Sequence, residues 1–127
     1  MIRVLLVDDH AMVRQGLRRL IEDYPDMKVV GEASNGEEAV QRVGELAPSV
    51  VVMDIKMPKL NGIEATRLIK RTYPQVVVVG LSVDTSDHSK QSMQEAGAAS
   101  LLAKETVVEE LYAEIMRSAR RRSSATH

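Results

Sequence analysis

Five short runs of aliphatic and β-branched residues recur along the chain, and each is followed by a polar residue or a turn. Apolar runs of strand length that do not alternate with polar residues are typical of strands covered on both faces, as in a parallel sheet. The pattern predicts strands over residues 2–7, 27–30, 50–53, 76–81 and 99–103.

Between these runs, apolar residues recur at the three- and four-residue spacing of one helix face. The first helix is predicted over 11–23, with Arg14, Arg18 and Arg19 facing water. N-capping patterns begin three later helices, at Ser34 to Glu37, Asn61 to Glu64 and Thr106 to Glu109. The helix residues predicted to face the core are Val13, Leu17, Leu20, Ile21, Ala39, Val43, Leu46, Ala47, Ile63, Leu68, Ile69, Met93, Ala96, Leu111, Tyr112, Ile115 and Ala119.

Residues 84–92 contain no apolar side chain, so a helix there is held to the core only by Met93 and Ala96. We expect it to be the loosest element. Because strands and helices alternate with no change of composition, the chain is predicted to form one α/β domain with right-handed crossovers and helices on both faces of the sheet. We expect this domain to span 1–121, with a disordered basic and polar tail over 122–127 and no output domain.

Composition narrows the class of protein. The 127 residues are 44% hydrophobic and 28% charged, as in a single globular domain, and the only aromatic residues are Tyr24, Tyr73 and Tyr112. A net charge of −1 and so few aromatic rings argue against direct binding to nucleic acid. The chain has no cysteine and no apolar run of the roughly 20 residues that span a membrane. We therefore expect a cytoplasmic protein without membrane contact.

Polar residues follow four of the predicted strands. They are Asp8 and Asp9, Asp54, Ser82 and Lys104. The carboxyl ends of parallel strands meet at one edge of a sheet, so these side chains should lie together. If the strand order is 2-1-3-4-5, a crevice opens between strands 1 and 3, flanked by the three carboxylates.

Three neighbouring carboxylates repel one another unless a cation lies among them, and all-oxygen ligands favour Mg²⁺. The ammonium of Lys104 and the hydroxyl of Ser82 could hold phosphoryl oxygens while a carboxylate acts as nucleophile. The sequence therefore predicts a site for metal-assisted phosphoryl transfer. A purely structural ion cluster is the less favoured interpretation, because burying like charges without a ligand is costly.

Several motifs in order resemble the receiver domain of bacterial two-component response regulators. The stretches that carry the resemblance are Leu5 to His10, Met53 to Pro58 through Gly62, Ser82, and Ala96 to Ala98 ahead of Lys104. The stretch 9–17 is most similar to receivers that usually precede a helix-turn-helix output domain. The resemblance covers 2–119 and implies a flavodoxin-like (βα)5 fold with a doubly wound parallel sheet of order 2-1-3-4-5.

The resemblance also implies roles for the site residues. Asp54 would accept a phosphoryl group, and Mg²⁺, or alternatively Mn²⁺, would be bound by Asp9, Asp54 and the main-chain carbonyl of Lys56. Asp8 would support the metal through water. Ser82 and Lys104 would then hold the phosphoryl oxygens.

The implied partners follow from the same family. The phosphoryl donor would be a sensor histidine kinase or a phosphotransfer protein. Phosphorylation would alter the face built by the fourth helix, fifth strand and fifth helix, the α4-β5-α5 face, and so control an output domain or a downstream protein. We expect a monomer or a weak homodimer enhanced by phosphorylation, and not a turnover enzyme.

The chain departs from the family at two positions near the predicted lysine. Leu101 stands where receivers usually carry a switching aromatic residue, and Glu105 stands where most carry proline, so a trans bond is expected before it. We also predict that Lys56 and Asp84 face each other over the site and limit the access of water. If Lys56→Ala left the dephosphorylation rate unchanged, this prediction would fail and both residues would be ordinary surface charges.

Four further interpretations concern His10, the arginines near the C-terminus and two other classes of protein. His10 is expected to pack or cap at the mouth of the crevice and not to act as a ligand or base. The arginines at 117 and 120–122 are expected to complement the dipole of the last helix and not to bind DNA. An aspartyl-phosphate phosphatase of the haloacid-dehalogenase kind is disfavoured, because that class has a second Asp where this chain has Lys56. A phosphorylation-independent interaction domain is the other alternative.

Overall fold

The computed structural model describes residues 1–125, with side chains described through residue 120. The strands are β1 (Ile2–Val7), β2 (Met27–Ala33), β3 (Val50–Asp54), β4 (Val77–Ser82) and β5 (Ser100–Ala103). The helices are α1 (Ala11–Glu22), α2 (Gly36–Leu46), α3 (Gly62–Thr72), α4 (Asp87–Ala96) and α5 (Val107–Ala125), with a 3₁₀ turn at Lys104–Thr106 before α5. All strand pairs are parallel and the order is β2-β1-β3-β4-β5. The predicted flavodoxin-like topology is confirmed.

Two apolar layers sandwich the sheet, because successive strand residues point to opposite faces. In β1, Val4 and Leu6 pack on the side of α1 and α5, while Leu5 and Val7 pack on the side of α2, α3 and α4. Both β3 and β4 are buried along their whole length, as their near-continuous apolar runs predict. Each fully buried aliphatic side chain contributes about 1.5–3 kcal/mol. These strands therefore hold the residues at their carboxyl ends in fixed positions.

Two helix predictions were wrong in detail. Leu68 is 38% exposed, because the buried stripe of α3 runs through Ala65 and Ile69 and leaves Leu68 beside it. Ala47 is exposed and lies outside α2, where it forms the C-cap with a left-handed φ of 47°. Both errors come from assigning an apolar residue to the core when the helix stripe was already complete.

The N-caps predicted for α2 and α3 agree more closely with the structure, whereas the hydroxyl of Thr106, predicted to cap the last helix, donates back to the carbonyl of Ala103. The amide of Glu64 donates to Asn61 Oδ1 at 3.0 Å, as expected. In α2 the cap lies one residue later than predicted: the amide of Glu38 donates to Asn35 Oδ1, and Glu38 Oε1 accepts from the amide of Ser34. In a capping box the return bond goes to the amide of the cap residue itself, whereas here it goes to Ser34, one residue before the cap.

The last helix continues four residues past the predicted domain boundary at 121, to Ala125. No glycine or proline interrupts 116–125, so nothing in that stretch ends the helix. Thr126 and His127, in the predicted disordered tail, lie outside the described residues. None of the helices in the described part of the chain combines the length and the apolar character that a membrane crossing requires.

Candidate functional site

Two buried carboxylates lie at the carboxyl ends of neighbouring strands. Asp8 directly follows β1 and is fully buried, and Asp54 is the last residue of β3 and is 4% exposed. The register pairs Val7 with Met53, so the next residue of each strand brings a carboxylate to the same edge of the sheet. The predicted convergence of these strand ends is what the structure shows.

The ammonium of Lys104 lies between these two carboxylates. Its Nζ is 3.0 Å from Asp8 Oδ2 and 3.1 Å from Asp54 Oδ1. Partial burial acts to lower the pKa of Lys104, but the hydrogen bonds to Asp8 and Asp54 outweigh it and raise the pKa. The lysine is therefore charged at neutral pH and holds both strand ends together.

Asp54 lies in an environment that disfavours its charge. Burial raises its pKa, the hydrogen bond from Lys104 offsets this only in part, and the charges of Asp8 and Asp9 raise it further. The Lys104 ammonium thus contacts two of these three carboxylates. A cation added among them would relieve the remaining repulsion.

We call the site between the carboxylates of Asp8, Asp9 and Asp54 the acidic pocket. Asp9 and His10 form its outer rim. The amide of His10 donates to Asp8 Oδ1 at 2.9 Å, and its ring Nδ1 lies 3.2 Å from Asp8 Oδ1 and 3.1 Å from Asp9 Oδ1. One potential ligand atom from each of Asp8, Asp9 and His10 lies within 4.8 Å of the others. The imidazole is 68% exposed, which agrees with the expected position at the mouth of the crevice. The expected packing or capping role is not seen, because His10 is the N-cap residue of α1 but its side chain makes no capping hydrogen bond. Carboxylate oxygens at this separation are a donor set that suits a hard divalent cation.

The loop after β3 is closed by a glycine. The amide of Gly62 donates to the carbonyl of Ile55 at 2.7 Å, and a Cβ on Gly62 would lie 2.0 Å from the carbonyl oxygen of Asp54. Only glycine fits at this approach. Within the loop, the side chain of Lys56 is exposed and Lys59 has a left-handed φ of 66°. The expected ligand role of the Lys56 carbonyl stays a prediction.

Ser82, the last residue of β4, is 3% exposed. Its Oγ accepts a hydrogen bond from the amide of Asp84 at 3.0 Å. A hydroxyl that accepts one bond still has its own hydrogen to donate. Ser82 is therefore equipped to donate to an oxygen in the pocket.

The carboxylate of Asp84 is turned toward the start of α4. Its Oδ1 accepts from the amide of Ser86 and its Oδ2 from the hydroxyl of Ser89, both at 3.0 Å. The Ser86 backbone hydrogen bond is the main reason that the pKa of Asp84 is lowered; the positive charge of Lys56 has a small effect. No ion pair joins Lys56 to Asp84 in the described part of the chain. Lys56 therefore acts on Asp84 only through its positive charge. Their effect on dephosphorylation stays a prediction.

Leu101, in place of the aromatic residue usual in receivers, packs with the α2, α3 and α4 layer. A Cβ on Gly80 would lie 2.9 Å from Leu101 Cδ1 and 2.6 Å from Met93 Cε. Gly80 thus leaves the space that the Leu101 and Met93 side chains fill. The bond between Lys104 and Glu105 is trans, as expected.

The arginines of α1 behave differently from the prediction. Arg14 and Arg18 do not simply face water: both hydrogen-bond to the carboxylate of Glu32, and Arg14 also donates to the main-chain carbonyl of Asp8. The sequence does contain a signal for this pairing. Two arginines four residues apart form one patch on a helix, and a lone glutamate in the adjoining strand is a natural partner for it.

The comparisons with known proteins agree with this geometry. Residues 4–116 match the family model of the response regulator receiver domain. The chain is 46% identical over 115 residues to the response regulator UvrY of Escherichia coli, covering 91% of this chain and 53% of that protein. It is 45% identical over 104 residues to the response regulator GacA of Pseudomonas viridiflava, covering 82% and 49%. The chain thus spans about half the length of these curated relatives.

Solved structures give the same result. The response regulator domain of Thermotoga maritima CheB superposes with a TM-score of 0.89 at 38% identity, covering 94% of this chain and 97% of that chain. A LuxR-family two-component response regulator from Aurantimonas superposes with a TM-score of 0.90 at 36% identity, covering 94% and 86%. These findings confirm the resemblance drawn from the motifs. The chain belongs to the family of response regulator receiver domains.

Proposed function

We propose that this chain receives a phosphoryl group on Asp54 in a Mg²⁺-dependent reaction and transmits the change to a partner. The observation that carries the proposal is the position of Asp54: buried at the end of β3, 3.1 Å from the Lys104 ammonium and beside the carboxylates at the end of β1. A carboxylate held this way is an acceptor with charge stabilisation already in place.

The reaction would move the phosphoryl group from a phosphohistidine nitrogen to a carboxylate oxygen of Asp54. The P–N bond breaks, its electron pair stays on the imidazole, and a P–O bond forms. Lys104 would exchange a carboxylate partner for a phosphoryl oxygen, and the buried hydroxyl of Ser82 would donate to another. Both groups stabilise charge that develops on the phosphoryl oxygens.

The residues present fit a divalent cation. Asp9, Asp54 and the carbonyl of Lys56 would bind it directly and Asp8 through water, which is the oxygen donor set preferred by Mg²⁺ and also accepted by Mn²⁺. When bound, the cation would neutralise charge on the carboxylates and on the transferred group. Asp8 and Asp54 are both buried, and their carboxylates converge on the same Lys104 ammonium.

The donor would be a sensor histidine kinase or a phosphotransfer protein, and we place the reaction in the cytoplasm. The α4-β5-α5 face would act on an output domain or a downstream protein, a proposal supported by the greater length of the response regulators that the chain resembles. The domain would promote its own phosphorylation and dephosphorylation without turnover of a substrate.

The test is incubation with acetyl phosphate and Mg²⁺, followed by intact mass measurement. We expect a saturable gain of one phosphoryl group that requires Mg²⁺ and is lost in Asp54→Asn. Beryllofluoride with Mg²⁺ should change the NMR spectrum of the wild type and leave that of the variant unchanged.

Two other results would point elsewhere. Multiple turnover on small phosphate esters would indicate a phosphatase. No change in mass or NMR spectrum would overturn the proposal and favour an interaction domain that works without phosphorylation.

A further inference from the structure

The acidic pocket is braced from outside by a charged cluster that lies between α1 and β2. Arg14 Nε donates to Glu32 Oε1 at 2.8 Å, and Arg18 Nη2 donates to Glu32 Oε2 at 2.7 Å. One carboxylate thus holds two guanidinium groups. Partial burial acts to raise the pKa of Glu32, but the hydrogen bonds from Arg18 and Arg14 outweigh it and lower the pKa.

Only one of the two arginines reaches the pocket. Arg14 Nη1 donates to the main-chain carbonyl of Asp8 at 2.5 Å, whereas the remaining Nη1 contact of Arg18 is to Glu22. The side chain of Arg14 is 17% exposed and that of Arg18 is 36% exposed. Arg14 is therefore better shielded from water than Arg18, and of the two it is Arg14 that bonds to the main chain of the acidic pocket.

The carbonyl that Arg14 holds belongs to the peptide that joins Asp8 to Asp9. The amide on the other side of Asp8 is also fixed, because it donates to the carbonyl of Ala33 in β2 at 3.1 Å. Rotation of the Asp8–Asp9 peptide would swing the Asp9 carboxylate relative to Asp54. A planar guanidinium presents donors on separate nitrogens in a fixed fork, so it can hold a carboxylate and a carbonyl that lie apart, whereas a lysine donates from a single nitrogen.

We propose that Arg14 is a positioning residue of the acidic pocket. Clamped by Glu32, it fixes the Asp8–Asp9 peptide and so sets the separation of the carboxylates that receive the divalent cation. This inference rests on the Mg²⁺ site proposed above. Arg14 does not itself touch the cation or the phosphoryl group.

The experiment is a Mg²⁺ titration of the full 127-residue chain, without any phosphoryl donor, read by calorimetry and by the NMR shifts of the Asp8, Asp9 and His10 amides. In Arg14→Met we expect the Mg²⁺ dissociation constant to rise about tenfold, the usual effect of losing a group that orients a metal ligand. Arg14→Lys keeps the charge but lacks the fork, and should weaken binding in the same direction.

Arg18→Met is the matched control. It removes the same kind of side chain and two bonds to Glu32, at 2.7 and 3.1 Å, but no bond to Asp8. Because this ion pair is partly exposed, the Mg²⁺ dissociation constant should stay within about twofold of the wild type. The direction of the change is diagnostic. Removing a positive charge near a cation site should by itself strengthen cation binding, so weaker binding in Arg14→Met reports positioning and not charge.

Thermal unfolding of the metal-free variants tests for a general loss of structure. If Arg14→Met does not fold, Arg14→Lys carries the comparison with Arg18→Met. Mg²⁺ binding by Arg14→Met that equals or exceeds that of Arg18→Met would overturn this inference alone. If the wild type itself bound no Mg²⁺, both this inference and the proposed function would fail.

Discussion

Single residues in the pocket carry opposing charges that only partly cancel. Asp8 is fully buried and Asp54 nearly so, and the Lys104 ammonium contacts both. Removing two ions from water costs several kcal/mol for each ion, and a good partner recovers much of this cost. The stability of the metal-free domain should therefore depend on Lys104 more than on any exposed lysine.

Lys104→Met tests this dependence. Breaking a buried pair costs about 3–5 kcal/mol, and because the Lys104 side chain is 22% exposed we expect a loss of about 2–3 kcal/mol in the free energy of unfolding without metal. Urea unfolding with and without Mg²⁺ is the measurement. Mg²⁺ should stabilise Lys104→Met more than the wild type, because it meets less competition for the carboxylates.

The exposed Lys28 provides the control for that comparison. Lys28→Met should change the unfolding free energy by less than about 0.5 kcal/mol. Equal stabilities for the two variants would show that the Lys104 contacts contribute nothing in solution.

Among the elements, α4 depends most on polar contacts. It buries only Met93 and Ala96, as its sequence predicts, and its start is organised by Asp84 and by Ser86, whose Oγ accepts from the amide of Ser89. Asp84 in turn donates its amide to Ser82 Oγ. The end of β4 in the site and the first turn of α4 are therefore joined by one short chain of hydrogen bonds.

Asp84→Ala should raise hydrogen exchange at the amides of Ser86, Ser89 and Lys90 while leaving β4 protected. The pKa of Asp84 is lowered, so its contribution is complete above the ordinary Asp value of 3.8 and is lost as the pH falls through the lower folded value. Hydrogen exchange measured as a function of pH checks both expectations. Asp87→Ala is the control, since Asp87 lies in the same turn; equal exchange in the two variants would contradict a special role for Asp84.

Two helix glycines differ sharply in whether they tolerate a side chain. Gly62, at the start of α3, has no room for a Cβ, whereas Gly16, within α1, has nothing within 4 Å. Gly62→Ala should lower the free energy of unfolding by about 3 kcal/mol through overpacking. Gly16→Ala should raise it by about 0.5–1 kcal/mol, because alanine favours the helix. Thermal denaturation checks both, and a stable Gly62→Ala would show that the loop after β3 can move.

Across the whole molecule, α5 links the site to the opposite edge of the sheet. It begins just after the 3₁₀ turn that contains Lys104, and farther along it Tyr112 stacks on Tyr24 with ring centroids 3.8 Å apart. Tyr112 also donates to Asp26 Oδ2 at 2.9 Å, in the loop between α1 and β2. Two of the three aromatic residues thus anchor α5 away from the site.

Tyr112→Phe should lower the Tm while keeping the stacking. The hydrogen bond to Asp26 is the main reason that the pKa of Tyr112 is raised. Without this bond the Asp26 carboxylate would lose its Tyr112 partner, and its buried Oδ1 already has no hydrogen-bond partner among the described residues. Tyr73→Phe, which leaves the Tyr112–Asp26 hydrogen bond intact, is the control for a missing hydroxyl. An unchanged Tm in Tyr112→Phe would mean that packing alone holds α5 in place.

The sequence by itself determined the five strands, the five helices and the edge of the sheet at which the site lies, whereas the strand order was implied only by the family resemblance. Periodicity is a local property, and a carboxylate that closes an apolar run has few places in a parallel sheet other than the strand end. Asp8, Asp54, Ser82 and Lys104 could therefore be assigned to one edge without coordinates. The excess of negative charge at that edge followed from the same residues.

Only the tertiary structure decided which groups pair. Lys104 contacts Asp8, 96 positions away, and Arg14 reaches both Glu32 and the Asp8 carbonyl, whereas Asp84 turns toward α4 and not toward Lys56. These choices depend on distances between separate elements and on side-chain rotamers, which local patterns do not encode. The exposure of Leu68 has the same origin, because the neighbours of a helix decide how wide its buried stripe is.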